Sequence, residues 1–340
     1  MSLFRNLLII TLGFAAMTQA IHAAEEVNLY SARKEKLIKP LLDRFTQETG
    51  IKVNLVTGKA NALLARLKNE GLNTPADMLL TTDAGNLYRA QQAGLLQPVK
   101  SAVLDENVPQ QYREPVGRWY GLSTRARTIF YSKKTVKPAE LSSYADLADP
   151  KWKGRICIRS SNNIYNQSLV ASMIFHQGAE KTEAWVKGLV NNFARKPKGG
   201  DRDQIRAVAA GQCDIAIANS YYYGAMITGK KASDKAAAAQ VGLFWADQKN
   251  HGTHVNISGG AVIKHAHNKA NAIKLLEFLV SDESQAWYAE VNNEHPIKPG
   301  VKISSTLSAW GDYKADSLDL YLLGKNNAEA VRIMDRAGWR

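Results

Sequence analysis

The chain has 340 residues, 45% of them apolar, and carries a formal charge of +13 with its histidines neutral. That length and apolar content suffice for two packed domains and exclude a disordered or low-complexity protein. Lys and Arg are spread among Asp and Glu rather than gathered into a dense run, so the charge reads as a solvated basic surface, and no nucleic-acid partner is expected.

In chain order, Met1 to Arg5 carries one positive charge, Asn6 to Met17 is a short apolar core, and small residues follow at Ala20, Ala23 and Ala24 before the chain turns polar at Glu25. This pattern is that of a cleavable export signal over residues 1–24, too short to span a membrane comfortably. The mature chain is therefore expected to be exported, with no membrane insertion, and to act as a monomer. Residues 25–31 read as a strand. Lys36 to Gly50 places Leu37, Ile38, Leu41, Leu42 and Phe45 on one helical face. A strand over 51–56, a helix over 60–70, a strand over 76–80 and a helix over 86–93 follow, an alternation that predicts an α/β unit with a mostly parallel sheet.

Beyond Pro98 the pattern changes. Trp119 to Tyr131 is a long extended run able to carry the chain between two lobes. A second series follows: a strand over 155–159, helices near 166–176, 180–190 and 201–210, and a strand over 213–218. After a polar link from Asp247 to Val255 come a strand over 258–263, an amphipathic helix over 268–280 and a helical tail from Asp282. Two α/β lobes joined by crossing strands are expected, with the ligand in the cleft beyond the carboxyl ends of the strands.

The two cysteines, Cys157 and Cys213, each lie in a strand-like segment just after a glycine. An even pair in an exported chain predicts one disulfide between adjacent strands. Tyr165 lies eight residues after Cys157, and Tyr221 lies eight after Cys213. If the two strands run parallel, both segments leave the same sheet edge, and Tyr165, Tyr221 and Tyr222 can converge. Tyr223 is left as packing. A phenol titrates near 10, and a strongly charged metal can displace its proton. Phenolate is a hard oxygen donor, and three of them would neutralise a trivalent ion. On the residues alone a metal site, a stacking box for an organic ion and a structural tyrosine cluster all remain open.

Several segments bear on the choice: Leu29 to Arg33 (Leu-Tyr-Ser-Ala-Arg), Phe45 to Ile51, Gly121 to Arg127, Ser160 to Ser168 (with Ile-Tyr-Asn-Gln-Ser) and Asn219 to Tyr222. Together they resemble the periplasmic iron(III)-binding proteins of ABC importers. The resemblance implies a class II periplasmic binding protein, with a central mixed sheet in each of two lobes and a hinge of crossing strands. The lobes would be residues 25–125 plus 250–300 and residues 126–249 plus 301–340. It further implies a non-enzymatic carrier in the periplasm, Fe(III) held by Tyr165, Tyr221 and Tyr222, delivery to an inner-membrane ABC permease, and Arg125 supporting a phenolate. Where many members read Arg-His-Tyr after the first strand, this chain has Arg33-Lys34-Glu35. Tyr30 and Glu35 are the candidate ligands from that lobe. Alternatively, water or an anion such as carbonate completes the shell, with Arg33 gripping the anion by a bidentate pair. A binding protein of the same fold for a small organic ion is the second reading. Asp201 reads as a helix N-cap, and His251, His254, His265 and His267 read as solvated histidines. No nucleophile elbow or His-Glu-x-x-His motif is present.

Overall fold

The computed structural model describes residues 25–340, so the expected export signal lies outside the described residues. Within them are eight strands: β1 (Glu26–Ser31), β2 (Lys52–Thr57), β3 (Met78–Thr82), β4 (Tyr120–Ser132), β5 (Ile156–Cys157), β6 (Ile215–Asn219), β7 (Val241–Phe244) and β8 (Val255–Val262). They are hydrogen-bonded in the order β2-β1-β3-β8-β4-β6-β5, with β7 also on β4. The pairs β1–β2, β1–β3 and β5–β6 are parallel, whereas β8 runs antiparallel to both β3 and β4.

β4 organises this arrangement. Its first half, Tyr120 to Ala126, pairs with β8; its second half, from Arg127, pairs with β6 and β7. One strand therefore closes two mixed sheets, and the chain folds as two α/β lobes that share it. The hand-over between Ala126 and Arg127 is buried on both sides. β8 can enter the first sheet because it is slim there: a Cβ at Gly259 would lie 2.8 Å from the Tyr120 carbonyl oxygen.

The strands and helices before residue 98 stand where the alternation placed them. The first helix starts at Lys39 rather than Lys36, after a short 3-10 turn at Glu35–Leu37. Pro40 accounts for this: it has no N–H to donate to the Lys36 carbonyl, so the helix cannot extend further back, and it is at home in the first turn. The strand expected over 155–159 is only Ile156–Cys157. The carbonyls of Arg159 and Ser160 instead accept hydrogen bonds from the Asn166 side-chain amide. The disulfide is present, joining Cys157 and Cys213 with Cα atoms 5.9 Å apart, at the base of the parallel β5–β6 pair. The larger departure is at the tyrosines: a helix, Ser220–Thr228, begins directly after β6. The tyrosine run is thus helical, and its rings fan out by roughly 100° per residue rather than alternating between two faces.

Candidate metal centre

Both tyrosine segments are first turns of helices that follow sheet strands. The helix Ile164–Gln177 is capped by Asn163, whose side chain accepts from the Tyr165 amide, and Tyr165 is its second residue. Tyr221 and Tyr222 are the second and third residues of Ser220–Thr228. The positive ends of two helix dipoles therefore lie beside the three phenols, where they favour negative charge. Tyr223 turns inward instead, donating its hydroxyl to the carbonyls of Ala238 and Val241 and packing on Phe130.

Tyr165, Tyr221 and Tyr222 meet in an interlobe cavity of about 380 Å³. The hydroxyl oxygens of Tyr165 and Tyr221 are 3.4 Å apart, and the ring centroids of Tyr221 and Tyr222 are 4.2 Å apart. Each ring has its own guanidinium: Arg125 over Tyr221 at 5.3 Å, Arg159 over Tyr165 at 5.6 Å and Arg202 over Tyr222 at 5.5 Å. Burial pushes the Tyr221 phenol well above its ordinary value, and the neighbouring Tyr165 and Tyr222 add to the shift against an opposing pull from Arg125. Tyr222 is raised for the same leading reason. Unliganded, these two groups are neutral phenols. A hard cation that displaces their protons gains phenolate donors already flanked by positive charge.

The opposite wall is an ion network. Arg33 grips Glu294 through two hydrogen bonds of 2.9 and 3.0 Å, and Arg125 Nη2 lies 3.6 Å from the same carboxylate. Ser123 donates to Glu294, and Ser258 accepts from both Arg33 and Arg125. Burial opposes the charge on Glu294, but Arg33 and Arg125 outweigh it and hold the carboxyl below its ordinary value. The fork of Arg33, expected to grip a free anion, is thus taken by a carboxylate of the chain itself. Arg125 is different: its Nε and Nη1 have no hydrogen-bond partner although the residue is buried on the cavity wall.

Two expected donors are not at this site. The Tyr30 hydroxyl donates to Glu70 at 2.8 Å, Arg66 lies 4.7 Å from its ring, and burial with Glu70 raises its pKa to about 12. Residue alternation along β1 sends the ring to the helix Ala60–Glu70, away from the cavity. Glu35 is exposed on its 3-10 turn, and the cavity wall there is made by Lys34 and Lys36. Asp201 is not the helix cap expected of it: Gly200 is the cap, and Asp201 joins Arg127 and Arg159 at 3.2 Å each. His265 and His267 are exposed as expected, whereas His254 is buried, which pushes its imidazole down to about 3.

Sequence reasoning missed Arg159, Arg202, Glu294 and Ser258. Arg159 had a usable signal, since it stands two residues past Cys157 at the same sheet edge as the tyrosines. Glu294 had none, being 261 residues from Arg33. Gly224 also gains a reason: a Cβ there would lie 2.6 Å from the Cβ of Asn293, so only a glycine lets the neighbour of Glu294 close on the tyrosine helix.

Residues 41–315 match the family model of the bacterial extracellular solute-binding proteins. The chain belongs to that family. Among similar curated members, "Iron uptake protein A1" of Synechocystis is 50% identical over 93% of this chain and 88% of its own length. The "Fe(3+)-binding periplasmic protein" of Serratia marcescens is 31% identical over 96% of this chain and 94% of its own. Among solved structures, the Trichodesmium protein IdiA or FutA, in complex with iron and citrate, superposes with a TM-score of 0.90 at 52% identity, covering 93% of this chain and 100% of that one. The two-lobed α/β fold of this solute-binding protein is that of these iron-binding relatives.

Proposed function

We propose that this chain is a periplasmic carrier that captures Fe(III) in its interlobe cleft and delivers it to an inner-membrane ABC permease. Tyr165, Tyr221 and Tyr222 are the protein ligands, all from one wall. The observation that carries the reading is the convergence of these phenols at two helix starts, each ring beside its own arginine. Three phenolates neutralise Fe(III), and hard oxygen donors suit it. Neither Tyr30 nor Glu35 reaches the cavity, so water or a small anion such as carbonate completes the shell, and the unpaired N–H groups of Arg125 are placed to hold it. The wall formed by Arg33, Arg125 and Glu294 closes over the loaded site, and the permease recognises the closed form.

For an organic cation the second reading is less well supported, because each ring already has a guanidinium over it and Arg33, Lys34, Lys36, Arg125 and Arg202 line the cavity against Glu294 alone. An organic monocation would displace no phenolic proton and would meet that positive field unneutralised. The test is optical. Adding Fe(III) should produce a visible phenolate-to-iron charge-transfer band that the Tyr221→Phe/Tyr222→Phe variant lacks. A protein that stays colourless, with a melting temperature indifferent to iron, overturns the proposal.

A further inference from the structure

A second group of metal-ligating side chains lies away from the cleft. His176 ends the helix whose first turn carries Tyr165, so the two are about 16 Å apart along the axis. His176 Nε2 is 2.7 Å from a carboxylate oxygen of Asp316, which is 3% exposed. The His251 ring stacks on His176 with centroids 3.7 Å apart. One ligand atom from each of these three residues lies within 4.8 Å of the others. None of them lines the cleft cavity.

The charge balance of this cluster is unusual. Asp247, also buried, places a carboxylate oxygen 4.0 Å from His251 Nε2. Among the described residues no Lys or Arg nitrogen comes within 4 Å of Asp247 or Asp316; their ion partners are the two histidines. Lys314 is nearby, with its ammonium donated to the Asn250 carbonyl. Asp247 accepts from the Tyr144 amide and the Asn250 side chain, and Asp316 accepts from the Leu318 amide, but the charge of these two buried carboxylates has no Lys or Arg paired with it, which is costly. A divalent ion cancels it with both imidazoles neutral, the form in which they ligate.

We propose that His176, His251 and Asp316 form a second metal site, for a divalent transition ion of the zinc type. Two imidazoles and one carboxylate are the donor set of a borderline ion with an open position for water, and they differ in kind from the phenols of the cleft. Ligation uses lone pairs in the ring planes, and two parallel rings cannot aim both at one ion. Binding therefore swings His251 out of the stack, which its partly exposed place in the 247–254 link allows. The ion would tie that link to the Tyr165 helix and to the tail segment of Asp316, which already contacts the link through the Asp316 amide and the Thr253 carbonyl.

The test is calorimetric titration of the chelator-stripped protein with Zn²⁺, with Co²⁺ as a spectroscopic probe. Expected are one zinc per chain, visible ligand-field bands with Co²⁺, and at least a tenfold loss of zinc affinity in His251→Ala. The Tyr221→Phe/Tyr222→Phe variant should bind zinc unchanged. His251 is on a surface link, so its variant should keep the circular dichroism of the parent; His176→Gln serves as the second variant. No zinc uptake, undiminished uptake in both histidine variants, or uptake lost with the tyrosines would each overturn the proposal.

Discussion

The two walls of the cleft are built by opposite strategies. The tyrosine wall is local: each tyrosine segment is the first turn of a helix that follows a sheet strand, directly after β6 and across a short loop after β5, and one disulfide ties the chain together beneath. The facing wall is assembled from β1, β4, β8 and the segment at Glu294, held by buried charge rather than by chain connection. A wall made of local turns presents ligands that are already in place. A wall made of an ion network has its charges satisfied internally and can meet the cargo without ligating it. On the function proposed above, the chemistry belongs to one wall and closure to the other.

The largest effect is expected from loss of a hydroxyl on the tyrosine wall. Tyr165→Phe should cost more than the roughly 10–100-fold typical of losing a mere supporting partner of a metal site, read from iron competition against a chelator. Acid should act in the same direction. The Tyr221 and Tyr222 phenols are raised by burial and stay protonated at neutral pH without metal. Iron must release those protons, so affinity rises with pH and falls on acidification, and proton release on loading should be measurable in weak buffer.

Glu294→Gln should be the largest effect on stability from the facing wall. It leaves Arg33 and Arg125 buried without their counter-charge, at a cost of about 3–5 kcal/mol in urea unfolding, while the iron band remains. Loss of the band without loss of stability would move Glu294 from support to ligand. The sign with pH follows from its depressed carboxyl: its contribution is complete above the ordinary carboxylate value near 4.3 and is lost as pH falls through the lower folded-state value. Cys157→Ser/Cys213→Ser should cost about 2–4 kcal/mol and weaken iron binding without abolishing it, because the strands still pair when the bridge is gone. The smallest effect is expected for Tyr30→Phe. It removes the hydrogen bond to Glu70, worth about 1–2 kcal/mol, and should leave the iron spectrum unchanged; a shifted spectrum would bring Tyr30 back to the site.

Much of the tyrosine wall was legible because its determinants are close in the chain. Cys157 and Tyr165, and Cys213 and Tyr221, are pairs at equal spacing, so a parallel strand pair beneath them implies their convergence. The helical start at Ser220 had one signal, Asn219 as a preferred N-cap residue, but three consecutive aromatics after an apolar strand show no helical period to support it. Tyr30 misled for a related reason. A ring near the end of the first strand is adjacent to the cleft in sequence, but residue alternation sent it to the helix Ala60–Glu70.

By itself, the sequence determined the strand–helix order before residue 98, the disulfide and which three phenols meet, because periodicity, spacing and turn residues act over a few neighbours. Only the tertiary structure decided that β8 enters antiparallel between β3 and β4, that Arg33 is occupied by Glu294, and that His176, His251 and Asp316 form a cluster. Those contacts join segments far apart in the chain. What brings them together is burial of charge and close backbone packing, which no local pattern records.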